Sequence, residues 1–192
     1  MRVAGWLLLW CLLPLAAARA GITQMATDIA DSTALATTAT ETAFSTGSYT
    51  FPANTLRPGV SVRVRAWGRF STTLTPTMQW NLRWGSVNTN PIIVGTSAVT
   101  DPVSGAVSEQ WSFEAVFTCR STGASGAVDG TGSVFLPTTS ARVDAVHAPD
   151  IVSGTTTVDT TASTALTLFF KWGTSSASNT ITLGGFVVEV LD

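Results

Sequence analysis

The chain has 192 residues, with 10 Lys+Arg against 12 Asp+Glu, so 11% of its side chains are charged and the formal net charge is −2. An average soluble domain carries about 25% charged residues. This balance excludes a nucleic-acid binder driven by phosphate neutralisation, and 45% hydrophobic content excludes a disordered chain. Thr and Ser supply 51 residues, so the polar surface is built from hydroxyls, while one His and two Cys leave little for metal or redox chemistry.

Residues 1–20 form a short basic start, an apolar run and an Ala18-Arg19-Ala20 ending. That order is a secretory signal peptide cut before Gly21. The run is about 16 residues long and contains Pro14, short for a membrane span. A second reading places the translation start at Met25, which makes 1–24 an upstream mis-annotation. Either way Cys11 is lost and the body retains Cys119 alone, so it has no internal disulfide. With Arg2 and Arg19 outside it, the body carries eight cations against 12 acids, a charge of −4.

Residues 25–46 are rich in Ala and Thr and weakly patterned, and read as a weakly structured N-terminal arm: a flexible tail, a docking segment or a strand added to a neighbour. From 47 to 192 the dominant period is two, the signature of half-buried strands. Val60, Val62, Val64, Ala66 and Phe70 share a face, as do Met78, Trp80, Leu82 and Trp84. Trp111, Phe113, Ala115, Phe117 and Cys119 form a third apolar set, and Leu166, Leu168, Phe170 and Trp172 a fourth. In the last strand Ile181 and Leu183 precede Gly184-Gly185, then Phe186, Val188 and Val190 follow; the double glycine predicts a bulge or a bend. Weaker strands are expected at 47–51, 91–94, 132–136, 141–147 and 155–160, separated by Pro, Gly and Asn turns. Eight to ten short strands with one apolar and one hydroxyl-rich face predict an all-β protein: an antiparallel β-sandwich, preferably a jelly roll.

The motifs of common chemistry are missing. There is no Gly-x-Ser-x-Gly elbow, no phosphate loop, no Cys-x-x-Cys and no His-Glu-x-x-His. Cys119 sits on an apolar strand face, where a thiol is core filler and inert. Asp144, His147 and Asp150 make the one clustered trio of possible metal ligands, at a spacing that matches no fixed metal motif and reads as a polar loop. Glu109 and Glu114 lie five residues apart on a strand, hence on opposite faces, and are unfit as a paired acid and base. No enzyme activity, cofactor or metal is therefore expected.

Trp80, Trp84, Trp111 and Trp172 read as core. Trp67 differs: it shares the polar face of its strand with Arg63, Arg65 and Arg69. If Arg83 lies on the next strand, the patch gathers four of the eight body cations. The functional readings of this surface are a subunit contact and a docking face for a carboxylate-bearing glycan or an acidic partner. The plain structural reading is a solvated face.

Three segments also carry a resemblance. Ala53-Asn-Thr-Leu-Arg-Pro-Gly, Val62-Arg-Val-Arg-Ala-Trp-Gly-Arg-Phe-Ser71 and Lys171-Trp-Gly-Thr-Ser-Ser-Ala-Ser-Asn-Thr-Ile-Thr182 together resemble a β-rich domain common in structural proteins of tailed bacteriophages and prophages. The resemblance covers about residues 25–192 and implies a non-enzymatic virion component of fibre, spike or decoration type. It further implies a homo-oligomer, with a trimer favoured, that contacts other virion proteins. A host-surface glycan is a further expected partner; nucleic acid and a membrane span in the mature chain are not expected. The alternative is an exported bacterial surface or carbohydrate-binding module. Localisation follows the start: the virion for Met25, secretion or the cell surface for a cleaved leader.

Overall fold

The computed structural model describes residues 21–96, 98–100, 104–137, 144–147 and 155–191. The leader reading of 1–20 falls outside them, as does the alternative-start reading of 1–24 except for its last four residues. The described chain is all-β, with two antiparallel sheets packed face to face.

Thirteen strands follow in chain order. β1 is Ile22–Asp28, β2 Leu35–Ala36, β3 Thr42–Phe51, β4 Ser61–Ser71 and β5 Thr77–Trp84. β6 is Ile92–Gly95, β7 Val99–Thr100, β8 Glu109–Ser121 and β9 Gly126–Pro137. β10 is Asp144–His147, β11 Thr156–Val158, β12 Thr164–Trp172 and β13 Thr180–Leu191. The large sheet runs β1-β13-β4-β8-β9-β10, with β11 also on β9 and β2 also on β13. The small sheet runs β3-β12-β5-β6, with β7 on β5.

Eight of these strands form nested pairs. β1 pairs with β13, β3 with β12, β4 with β8 and β5 with β6, all antiparallel. A long hairpin rolled so that its paired strands alternate between two sheets is a jelly roll. β9, with β10 and β11 beside it, widens the large sheet beyond β8.

The alternation read from sequence sets the core. Val62, Val64, Ala66 and Phe70 of β4 and Trp111, Phe113, Ala115, Phe117 and Cys119 of β8 are buried. They meet Met78, Trp80, Leu82 and Trp84 of β5 and Leu166, Leu168, Phe170 and Trp172 of β12. Aromatic rings bridge the two sheets: Trp80 and Trp111 have centroids 5.7 Å apart, as do Phe44 and Trp111, and Trp84 lies 5.5 Å from Phe51 within the small sheet. Three core indoles also donate their N–H groups to backbone carbonyls of other segments. Trp84 Nε1 donates to the Asp159 carbonyl at 2.9 Å, Trp111 Nε1 to Thr182 at 3.1 Å and Trp172 Nε1 to Leu35 at 3.2 Å. Such acceptors offset the cost of burying an indole N–H; the buried Trp80 Nε1 has none among the described residues. The predicted bulge is present: the β13–β4 register slips between Leu183 and Gly185.

Residues 25–46, read from composition as a weakly structured arm, are instead built into the sandwich. β1 adds to the edge of β13, with Thr23 opposite Val190 and Thr27 opposite Val187. Between β1 and β3 the Ser32 N–H donates to the Leu183 carbonyl at 2.8 Å and Ser32 Oγ accepts from the Leu183 N–H at 2.9 Å. The Trp172 N–H adds a bond to the Thr38 carbonyl at 3.0 Å. Thr and Ala hide the period-two signal, and backbone hydrogen bonds to distant β13 supply the order.

Candidate functional site

The site is built on the outer face of the large sheet around β4. Successive strand residues point to opposite faces. With Val62, Val64, Ala66 and Phe70 turned inward, Arg63, Arg65, Trp67 and Arg69 stand outward. In register, Trp67 lies opposite Gly185 of β13 on one side and Ser112 of β8 on the other, and Ser112 lies opposite Phe135 of β9. Trp67, Ser112 and Phe135 thus form one row across three strands, with Gln110 exposed beside it.

The bulge decides how the indole sits. A methyl group built on Gly185 would lie 2.3 Å from Trp67 Cζ2 and 2.4 Å from Cε2, so the six-membered ring rests directly on the glycine. Trp67 is nevertheless 42% exposed, against 4% or less for Trp80, Trp84, Trp111 and Trp172. Two clefts flank it. One of about 500 Å³ is lined by Trp67, Gly68, Gln110, Ser112 and Phe135, with Trp111 and Leu136 at its base. The other, of about 280 Å³, is lined by Trp67, Asp31, Arg69, Gln110, Thr182 and Gly184.

The charges here are largely spent on each other. Arg63 Nε donates to Glu189 Oε2 at 2.7 Å and Arg65 Nη2 to Glu189 Oε1 at 3.2 Å. The Arg63 hydrogen bond holds the Glu189 carboxyl below the usual glutamate range, with the Arg65 charge adding to it against the opposing pull of burial. Arg65 also has exposed Glu114 opposite it in register. Arg69 Nη1 donates to the Ser108 carbonyl at 3.1 Å.

Of the five residues expected in this patch, the structure gathers Arg63, Arg65, Trp67 and Arg69 and removes Arg83. Arg83 lies on β5 in the small sheet, because the chain crosses from one sheet to the other between β4 and β5. There it is buried, donates to both carboxylate oxygens of Glu41 and to the Asn90 carbonyl, and packs 5.9 Å from the centre of the Phe169 ring. Gln110, Ser112, Phe135 and Asp31 were not singled out from sequence, and Gly185 was read as part of a strand irregularity and not as the seat of Trp67. The outward parity of Gln110 and Ser112 on β8 was visible there; their neighbourhood with Trp67 was not.

Elsewhere, Glu109 stands opposite Phe70 and Glu114 opposite Arg65, at opposite parities of β8. Asp144 and His147 are the two ends of β10, and Asp150 lies outside the described residues. Cys119 is buried, and desolvation raises its thiol above the ordinary cysteine value.

No protein-family model matches the chain, and no curated protein matches it. Among solved structures, a distant similarity is to the CBM2 module of the evolved Dit of Lactobacillus casei BL23 phage J-1. The two share 13% identity at a TM-score of 0.32, over 74% of this chain and 67% of that one.

Proposed function

We propose that the protein is a non-enzymatic structural component of a tailed-bacteriophage or prophage particle, of fibre, spike or decoration type. It works by assembly with copies of itself, three being the favoured number, and with other virion proteins. The observation that carries this reading is the outer flank of β1, which pairs with no strand among the described residues. It is an edge strand of the large sheet, and it and the chain just after it expose Met25 at 37% and Ile29 at 80%, the latter kept by a chain that starts at Met25 or Ala26. An exposed edge with apolar side chains is a template for association. The pairing of Arg63, Arg65, Arg83 and Arg120 with carboxylates supports it, since faces whose charges are already matched suit a charge-poor interface core. The motif resemblance set out above supplies the phage setting.

The test is native mass spectrometry and light scattering of the full chain, with peptide mapping of purified particles. An oligomer that Ile29→Lys dissociates, and a particle-borne protein starting at Met25 or Ala26, are expected. A monomer at tens of micromolar, or a product starting at Gly21 in the exported fraction alone, overturns the reading in favour of an exported surface module.

A further inference from the structure

The Trp67 face has a shape that assembly along β1 does not use. We infer that the groove across β13, β4, β8 and β9 is a binding site for a neutral glycan chain, with Trp67 as its stacking platform. The inference goes beyond the assembly proposal and does not depend on which particle or surface carries the protein.

Three observations converge on that ligand. The first is the platform. Trp67 is held against Gly185 and still exposed, so its position is set before any ligand arrives. An aromatic face carries negative charge density. The C–H face of a pyranose ring is apolar with a weakly positive rim, and it stacks there without a formal charge. Pre-positioning also lowers the ordering cost of binding.

The second is spacing. Phe135 is half-buried in the same row as Trp67, two strands away. Strands lie about 4.8 Å apart, so the two residues are roughly 10 Å apart at the backbone, and the indole leans one strand further away over Gly185 of β13, which makes the ring-to-ring span roughly 14 Å. That is about three sugar units in an extended chain. Between and beside the rings stand Ser112, Gln110 and, at the far end, Asp31, groups that donate to and accept from hydroxyls. The two clefts share Trp67, Gly68 and Gln110, so they lie on either side of one platform on the same face.

The third is charge. Arg63 and Arg65 converge on Glu189, Glu114 faces Arg65, and Arg69 shares its cleft with Asp31. Three cations share this face with three carboxylates, Glu189 in ion-pair contact and Glu114 and Asp31 close by, so the surface has no surplus formal positive charge for a uronic-acid or sulfated chain. The carboxylate-bearing ligand expected from four clustered arginines loses its basis once Arg83 is removed and Glu189 is counted. A neutral hexose chain suits what is left.

The test is a glycan array carrying neutral hexose oligosaccharides of two to six units and their uronic-acid counterparts, read with the full-length protein, followed by calorimetry on the best probe. Trp67 emission gives an internal readout, because it is the exposed tryptophan among the described residues and a stacked sugar shifts it to the blue. Expected are neutral oligosaccharides bound with affinity rising to about three units, and Trp67→Ala at least tenfold weaker with its near-ultraviolet spectrum otherwise kept. Phe135→Ala weakens longer chains and spares the disaccharide. Gly185→Ala displaces the indole without deleting it and also weakens binding. No binding across the array, a tenfold preference for uronic acids, or unchanged binding in Trp67→Ala overturns the inference. So does a Trp67→Ala protein whose oligomer falls apart, which makes the face a subunit contact. Particle incorporation is scored separately, so its loss bears on the assembly proposal alone.

Discussion

Glu41→Gln is a direct test of the buried ion pair on the outer face of the small sheet. The Arg83 guanidinium donates in parallel to the two Glu41 oxygens, the Nη2–Oε2 distance being 2.7 Å, and donates again to the Asn90 carbonyl. The side chains are 10% and 11% exposed. Breaking such a pair from one side leaves a desolvated charge, at a cost of about 3–5 kcal/mol. Gln keeps one acceptor oxygen and both groups touch some water, so the expected loss is about 2–3 kcal/mol. For a domain of this size each kcal/mol moves Tm by about 2–4 °C, which gives a drop of roughly 5–10 °C. The assay is urea unfolding followed by circular dichroism, with calorimetry for Tm. Glu41→Leu combined with Arg83→Met restores most of the loss, because an apolar pair of similar volume is often neutral. A Glu41→Gln protein within about 0.5 kcal/mol of the parent refutes the reasoning and reduces the pair to an ordinary surface contact.

Two further predictions concern the large sheet. Glu189 has its folded-state pKa lowered, so its stabilising contribution is present above the ordinary glutamate value of about 4.5 and is lost as pH falls through the lower folded value. Glu189→Gln therefore costs more stability at pH 7 than at pH 3 in paired urea titrations, and an equal cost at both contradicts the assignment. At Gly68 a Cβ would sit 1.9 Å from the Thr182 carbonyl oxygen, which also accepts the Trp111 indole N–H. Backbone cannot swing aside as a side chain can. Gly68→Ala is expected to cost about 3 kcal/mol or more and to change the near-ultraviolet spectrum of Trp111; parent-like unfolding shows that the strands tolerate the shift.

Much of the architecture was legible because strand alternation is a local property. The inward sets on β4, β5, β8 and β12, the four core tryptophans, the buried Cys119 and the bulge at Gly184-Gly185 all follow from residue type and spacing of two. So does the outward stance of Arg63, Arg65, Trp67 and Arg69. Phe169 shows where this stops. It has outward parity on β12 and is still buried, because Arg83 lies over its ring.

The sequence by itself determined which side chains share a face within one strand, because the pleat orients them without help from distant chain. Only the tertiary structure decided which strands lie side by side. Pairing of β1 with β13 joins residues more than 150 positions apart, and it turned an Ala/Thr-rich stretch into sheet. The crossing between sheets after β4 took Arg83 away from the arginine row and gave it to Glu41. Register across β4, β8 and β9 placed Phe135 and Gln110 beside Trp67, and register with β13 placed a glycine beneath it. Those contacts depend on backbone hydrogen bonds between remote segments, and no local pattern of residues encodes which two segments will share them.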